Sequence, residues 1–330
     1  MTGRCNAKCV HCDIWQNRGP ETTLTVDQWG RVLTDLRQWL GPVQIVFTGG
    51  EALMKSFTVE LVRFAVDIGL IVEVLTNGYW KDQTRIERLA RTNPWRITVS
   101  LDGVGDTHSL IRGRSDFFER TEQSLRTLNN LRRSERLGFK LRLKTVVMKQ
   151  NLEAVCDVAH YAASSGFEVF YQPIEQNYNQ AEDASWFEHS ETWPNDPAKC
   201  QTIVNELIKL KGDGLPIGNS FAQLEAMGRY FLQPALLRRE TQAHAAHEKQ
   251  MQCSALTNLE LRANGDVMTC ARMPPIGNIT EHSIRQIWSS RPKWWLDGCC
   301  LQDEQPVKSV CENETEDNDL SFKVQGENRD

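Results

Sequence analysis

Three features are missing from this sequence, and each absence narrows what it does. No apolar signal segment opens the chain and no apolar run is long enough to span a bilayer, which argues against export and against membrane insertion. No basic block is present either. With 38 Lys and Arg against 43 Asp and Glu, for a formal net charge of −5, the chain carries no footprint for nucleic acid. The charge is also unevenly spread: residues 302–330 hold nine Asp and Glu against three Lys and Arg. That composition reads as a solvated, mobile acidic tail over 312–330.

Cysteine, by contrast, is plentiful, with ten in 330 residues. Their clustering favours metal ligation over disulfide pairing and indicates a reducing, cytoplasmic setting. The remaining composition, 40 % hydrophobic and 25 % charged, is that of a globular chain of about two domains with room for a sizeable core. The densest cluster is Cys5-Asn6-Ala7-Lys8-Cys9-Val10-His11-Cys12, spaced C-x3-C-x2-C. Thiolates are the ligands of iron–sulfur clusters. A four-iron cubane held by three local cysteines keeps one iron open, and open metal positions are where chemistry happens. The alternatives are a zinc site completed by a distant fourth ligand, or three unrelated thiols.

The pattern that follows is a regular alternation. Thr25 and Gln28 form a capping box ahead of Trp29, Val32, Leu33, Leu36 and Leu40, which share one helical face until Gly41-Pro42. Apolar runs at 43–47, 70–75, 96–101, 139–147 and 167–171 read as strands. Helices are expected near 57–68, 82–91, 116–133 and 152–163. Five strands alternating with helices imply right-handed βαβ units and a parallel α/β sheet. In such sheets ligands bind at the carboxyl ends of the strands. The unusual residues fall there: Thr48-Gly49-Gly50-Glu51, Thr76-Asn77-Gly78, Ser100 with Asp102-Gly103, Lys149–Asn151, and Gln172-Pro173.

The cysteine spacing, together with Gly49-Gly50-Glu51 after a strand and Ser100-Leu101-Asp102-Gly103 followed by His108 and Arg112-Gly113, resembles the radical S-adenosylmethionine (SAM) superfamily. The resemblance implies a partial (βα)6 barrel over residues 1–175. It implies that Cys5, Cys9 and Cys12 hold a [4Fe–4S] cluster whose open iron takes SAM. Reductive cleavage of SAM then yields a 5′-deoxyadenosyl radical that attacks a C–H bond of a peptide or small-molecule substrate, with a flavodoxin- or ferredoxin-type donor supplying the electron. Gly49 and Gly50 would approach SAM through their backbone and Glu51 would meet its ammonium group. Ser100 and Arg112 would take its carboxylate, Asn77 its ribose or methionyl end, and His11 would stack near adenine. Asn77 also suits plain turn chemistry, Arg112 an ordinary surface ion pair, and His11 packing against the barrel. Residues 1–4 leave almost no room for the strand that precedes the cysteine loop in the family, so either that strand is very short or the sequence begins within it.

Residues 176–250 read as a helical connecting region, with helices near 199–210 and 224–237 and a polar loop at 185–197. Beyond it, Leu259–Leu261 and Val267–Thr269 flank Asn264-Gly265, a strong hairpin signal. Cys253 and Cys270 bracket that hairpin, which resembles the opening of a SPASM/twitch extension, a small Fe–S domain expected over 251–311. A single auxiliary [4Fe–4S] cluster needs four ligands, and Cys253 and Cys270 with Cys300 and Cys311 would supply them. Too few cysteines remain for two auxiliary clusters, and a zinc site or a degenerate domain is the alternative. Cys156 and Cys200, on helices, read as buried apolar residues. A non-catalytic metal scaffold or a peptide-binding module stands as the competing class, the latter without a winged-helix segment ahead of Cys5.

Overall fold

The computed structural model describes residues 1–17, 19–177, 180, 183, 185–234, 258–269 and 274–291. Its centre is a five-stranded parallel sheet, β1 (Gln44–Phe47), β2 (Ile71–Thr76), β3 (Arg96–Ser100), β4 (Lys140–Val147) and β5 (Glu168–Pro173), ordered as in the chain. Each strand is followed by helical crossover structure that returns the chain to the same edge, as parallel pairing requires.

Helix α1 (Val26–Leu40) starts at the capping box the spacing predicts. The Thr25 hydroxyl accepts from the Gln28 N–H at 3.3 Å and the Gln28 amide oxygen accepts from the Thr25 N–H at 2.8 Å. Helices α2 (Thr58–Asp67), α3 (Thr84–Ala90), α5 (Phe117–Ser134) and α6 (Val155–Ser165) lie within a few residues of their expected positions. Short α4 (Asp106–Arg112) was not expected: seven residues between Gly105 and Gly113, both at positive φ, give too little periodicity to read. Another single turn, α7 (Trp186–His189), interrupts the expected loop, and α8 (Pro197–Gly212) and α9 (Phe221–Leu232) follow.

The alternation along each strand explains the core. Val72, Val74, Ile97, Val99, Leu141 and Leu143 are buried in the main apolar cluster. The alternate positions are polar and share layers by register: Glu73 beside Arg96, Arg142 beside Glu168, and Ser100 beside Lys144. Glu73 pairs with Arg96 and accepts from the Thr98 hydroxyl at 2.7 Å and the Gln44 amide at 3.1 Å. One face of the sheet is therefore an apolar seat for helices, and the other carries hydrogen-bonded charges up to the carboxyl rim.

Both outer edges carry additions. At the β1 edge, the Thr2 carbonyl accepts from the Gly50 N–H at 2.8 Å and the Arg4 carbonyl from the Glu51 N–H at 2.9 Å. Residues 1–4 thus dock beside the end of β1 without forming a strand. At the β5 edge, Ile217 bridges Val169 in parallel, and the Asn219 side chain continues the ladder to both backbone groups of Tyr171 at 2.8 and 2.9 Å. The connecting region therefore also extends the sheet, a role that its polar sequence conceals.

The expected hairpin is present as β6 (Glu260–Leu261) and β7 (Asp266–Met268), and β8 (Gly277–Asn278) adds a third antiparallel strand. Gly265 takes φ +95°, a conformation that favours glycine. Helix α10 (Ile284–Ser289) packs on α1 through Ile284 against Val32 and Leu36, with Trp288 and Trp39 ring centroids 6.4 Å apart. Cys253, Cys270, Cys299, Cys300, Cys311 and the acidic tail lie outside the described residues. Among the described residues no helix is long and apolar enough to cross a membrane.

Candidate metal centre

The cysteine loop sits on the carboxyl rim, held from two sides. From the β1 side, residues 2–4 bond to Gly50 and Glu51 as above. A Cβ on Gly50 would run into the Arg4 carbonyl, and one on Gly49 into the Thr2 carbonyl, so these glycines exist to admit the loop's backbone. From the β3 side, the carboxyl end of α4 supplies acceptors: the Arg112 carbonyl takes the Lys8 N–H at 3.1 Å and the Ile111 carbonyl takes the Val10 N–H at 2.9 Å. Gly113 ends α4 in the left-handed region and leaves space for the Lys8 carbonyl.

The three sulfurs share one small apolar patch. Cys9 is buried with Ala7, Tyr79 and Phe117, and Cys5 and Cys12 pack against the same group. Two side-chain donors reach it. The Asn77 amide lies 3.7 Å from the Cys5 sulfur and 2.7 Å from the Asn6 amide oxygen. The Arg112 guanidinium donates to the Cys9 sulfur at 3.5 Å. Burial pushes the Cys5 thiol up to about 11 and raises the Cys9 and Cys12 thiols as well. Buried thiols of that kind become thiolates at neutral pH only when a metal supplies the compensating charge. Three such cysteines with an amide and a guanidinium at their sulfurs fit an anionic thiolate cluster.

Two carboxylates flank the loop. Glu51 is fully buried. Its oxygens accept from the Leu53 N–H at 3.1 Å, the Thr76 hydroxyl at 2.9 Å and the Asn77 N–H at 2.7 Å. The side chain braces the β1 and β2 ends together. Burial pushes its carboxyl up to about 7, against these hydrogen bonds and the nearby Arg112 charge. Arg112, expected to meet a ligand carboxylate or a surface acid, is instead buried and paired with Asp102 at 2.7 Å as well as with Cys9. Burial opposes ionisation of Asp102, but the Arg112 charge beside it outweighs that and holds the carboxyl below the usual range.

Around this pair, the Asp102 carboxylate accepts from the Val146 N–H at 3.0 Å, and the His108 ring accepts from the Asp102 N–H at 3.0 Å. Burial, then the Arg112 charge, brings His108 down to about 3. Burial brings His11 down to about 4, so both rings are neutral at pH 7. Ser100 closes β3 on the polar face, in register with Lys144. The motif residues Asp102 and His108 were visible in the sequence without a role. Tyr79 and Phe117 were missed, and no local pattern marks them. They matter because the fold packs them against the sulfurs.

Residues 1–162 match the model of the Radical SAM superfamily, and residues 253–313 match that of the SPASM iron–sulfur cluster-binding domain. The chain is a radical SAM protein. Membership brings a [4Fe–4S] cluster and SAM as cofactors, and the SPASM match brings auxiliary iron–sulfur ligation. The chain is 25 % identical over 334 residues to the AdoMet-dependent heme synthase of Methanosarcina barkeri, covering 94 % of this chain and 85 % of that one. It is 28 % identical over 172 residues to the sporulation killing factor maturation protein SkfB of Bacillus subtilis, covering 52 % of this chain but only 40 % of that protein. In fold it is similar to SuiB of Streptococcus suis bound to S-adenosylmethionine, with a TM-score of 0.64 and 16 % identity, covering 89 % of this chain and 65 % of SuiB. The chain thus spans less than two thirds of SuiB and of SkfB.

Proposed function

We propose that this radical SAM chain is an enzyme that functionalises a C–H bond of a peptide or small-molecule substrate, with Cys5, Cys9 and Cys12 as its cluster ligands. The observation that carries this reading is the gathering of those three cysteines on one buried patch at the carboxyl rim. When bound, the cluster and SAM supply one-electron cleavage to methionine and a 5′-deoxyadenosyl radical, which removes a hydrogen atom from the substrate.

The chain's own residues bind, orient and exclude. The Gly49–Gly50 backbone shapes the floor beside the cysteine loop, while Glu51 keeps that floor rigid from behind. Asn77, whose amide bridges Asn6 and Cys5, sits where it orients both loop and nucleotide. Ser100 lies at the rim beside Lys144, a position suited to the SAM carboxylate. A neutral His11 suits stacking on adenine. Tyr79 and Phe117, with rings 4.6 Å apart, keep water from the sulfurs.

The substrate is read as peptide or small molecule because the relatives divide in the same way. SkfB is named as a maturation protein, and a SuiB structure, also 16 % identical, contains the precursor peptide SuiA. The relative matched over most of both chains is a heme synthase. Residues 251–311, with Cys253, Cys270, Cys300 and Cys311, are read as the auxiliary-cluster domain behind a 1–175 barrel, and a flavodoxin- or ferredoxin-type protein as the electron donor.

Anaerobic reconstitution followed by dithionite and SAM tests this reading. The wild-type chain is expected to release 5′-deoxyadenosine, and Cys9→Ala to release none while losing the iron of the first site. A fully loaded, reduced wild-type chain that leaves SAM intact would make this a non-catalytic iron–sulfur scaffold.

A further inference from the structure

The buried Arg112–Asp102 pair has no place in the radical chemistry described so far, yet one end of it touches a cluster ligand. Arg112 is 7 % exposed and Asp102 0 %. The guanidinium divides itself between the Asp102 carboxylate at 2.7 Å and the Cys9 sulfur at 3.5 Å. Lys144, in register with Ser100, and Glu51 also lie within electrostatic reach of the pair, but neither touches the Cys9 sulfur. Asp102 is fixed in turn by the Val146 N–H, and Arg112 by an α4 carboxyl end that is itself bonded to the cysteine loop. A positive group fixed against one thiolate in a dry pocket, with a fixed negative group behind it, is a device for setting electrostatic potential.

We infer that Arg112 and Asp102 act as a pair of positioning residues that set the reduction potential of the cluster held by Cys5, Cys9 and Cys12, and that Arg112 does not recognise the SAM carboxylate. This inference rests on the proposed ligand set. One electron from the reductant adds one negative charge to the cluster, with no bond broken and no proton required. The guanidinium hydrogen bond at Cys9 favours the more negative, reduced form. Asp102 limits that gain by neutralising part of the Arg112 charge.

The consequence is a pair of shifts of opposite sign. Wild type, Arg112→Gln, Asp102→Asn and Arg112→Lys are reconstituted anaerobically, checked for iron content, and titrated potentiometrically without SAM. The electron paramagnetic resonance signal followed is the one that a separate addition of SAM perturbs. R112Q is expected to make reduction at least tenfold less favourable, 59 mV lower for one electron, and D102N to make it more favourable. R112K, which keeps the charge, is expected to stay closer to wild type than R112Q. If R112Q fails to load iron, D102N and R112K decide: a positive shift with D102N and a near-wild-type R112K supports the pair, and an unmoved D102N overturns it. Loaded variants with unchanged potentials, or with shifts of the same sign, overturn it as well. So does an R112Q that weakens SAM binding while its SAM-free potential stays put, because that result returns Arg112 to the carboxylate. Failure of the ligand assignment itself looks different: wild type would then show no SAM-sensitive signal at all.

Discussion

Glu51 and Asp102 occupy equivalent places at two strand ends on either side of the cysteine loop, both are fully buried, and they behave oppositely. Glu51 accepts hydrogen bonds from neutral donors, on Leu53, Thr76 and Asn77, with the Arg112 charge acting on it without contact, and its carboxyl rises to about 7. Asp102 is met by Arg112 and remains ionised. Equal burial therefore does not mean equal charge. A hydrogen-bonded brace tolerates either protonation state, whereas an ion pair beside a thiolate needs its charge. The glycine-rich β1 end shapes and stiffens the floor of the site, and the β3 end supplies its electrostatics.

The strongest way to break this contrast is to remove one member of the ion pair. Asp102→Ala leaves the Arg112 charge uncompensated and is expected to cost about 3–5 kcal/mol in anaerobic urea unfolding. A loss below about 1 kcal/mol, the level of an exposed pair, would show that the pocket is wetter than its burial indicates.

Next in size is the pH dependence of Glu51. Its folded pKa lies above the unfolded value, so the native state binds the extra proton. Stability is then highest below about pH 4.5 for this group and falls as pH rises through about 7, by about 3 kcal/mol in total. Asp102, depressed in the folded state, contributes stability above about pH 4 that is lost on acidification. Glu51→Gln is expected to flatten the slope between about pH 4.5 and 7 in unfolding titrations, leaving the acid limb in place. An unchanged slope would assign it to another group.

The smallest effect sharpens the comparison from the donor side. Thr76→Val keeps the volume but withdraws one donor from Glu51 and one acceptor from the Gly78 N–H. It is expected to cost about 1–2 kcal/mol and to move the Glu51 transition to higher pH. An unchanged transition would show that the Thr76 bond does not favour the ionised carboxylate.

Much of the fold was legible because its signals are local. The Thr25/Gln28 box, the helix-stopping Gly41 and Gly69, and the apolar runs of β1–β5 each declare themselves within a few residues. The rim placement followed from chain order alone. What stayed hidden was relational. Glu51 reads as a free carboxylate in its motif and becomes a brace only when β2 brings Thr76 and Asn77 against it. Arg112 reads as a partner for the SAM carboxylate or for a surface acid, and only the docking of α4 under the cysteine loop turns it toward Cys9 and Asp102. The sheet extension by Ile217 and Asn219 was equally invisible, because a side-chain amide there does the work of a backbone strand.

The most direct measurement of the open-iron site is low-temperature electron paramagnetic resonance of the dithionite-reduced, reconstituted chain with and without SAM. If Cys5, Cys9 and Cys12 leave one iron open for SAM, the addition shifts the signal of that cluster, and the shift vanishes in Cys9→Ala. A reduced cluster signal that SAM leaves unchanged, in a chain carrying its full iron, would contradict it.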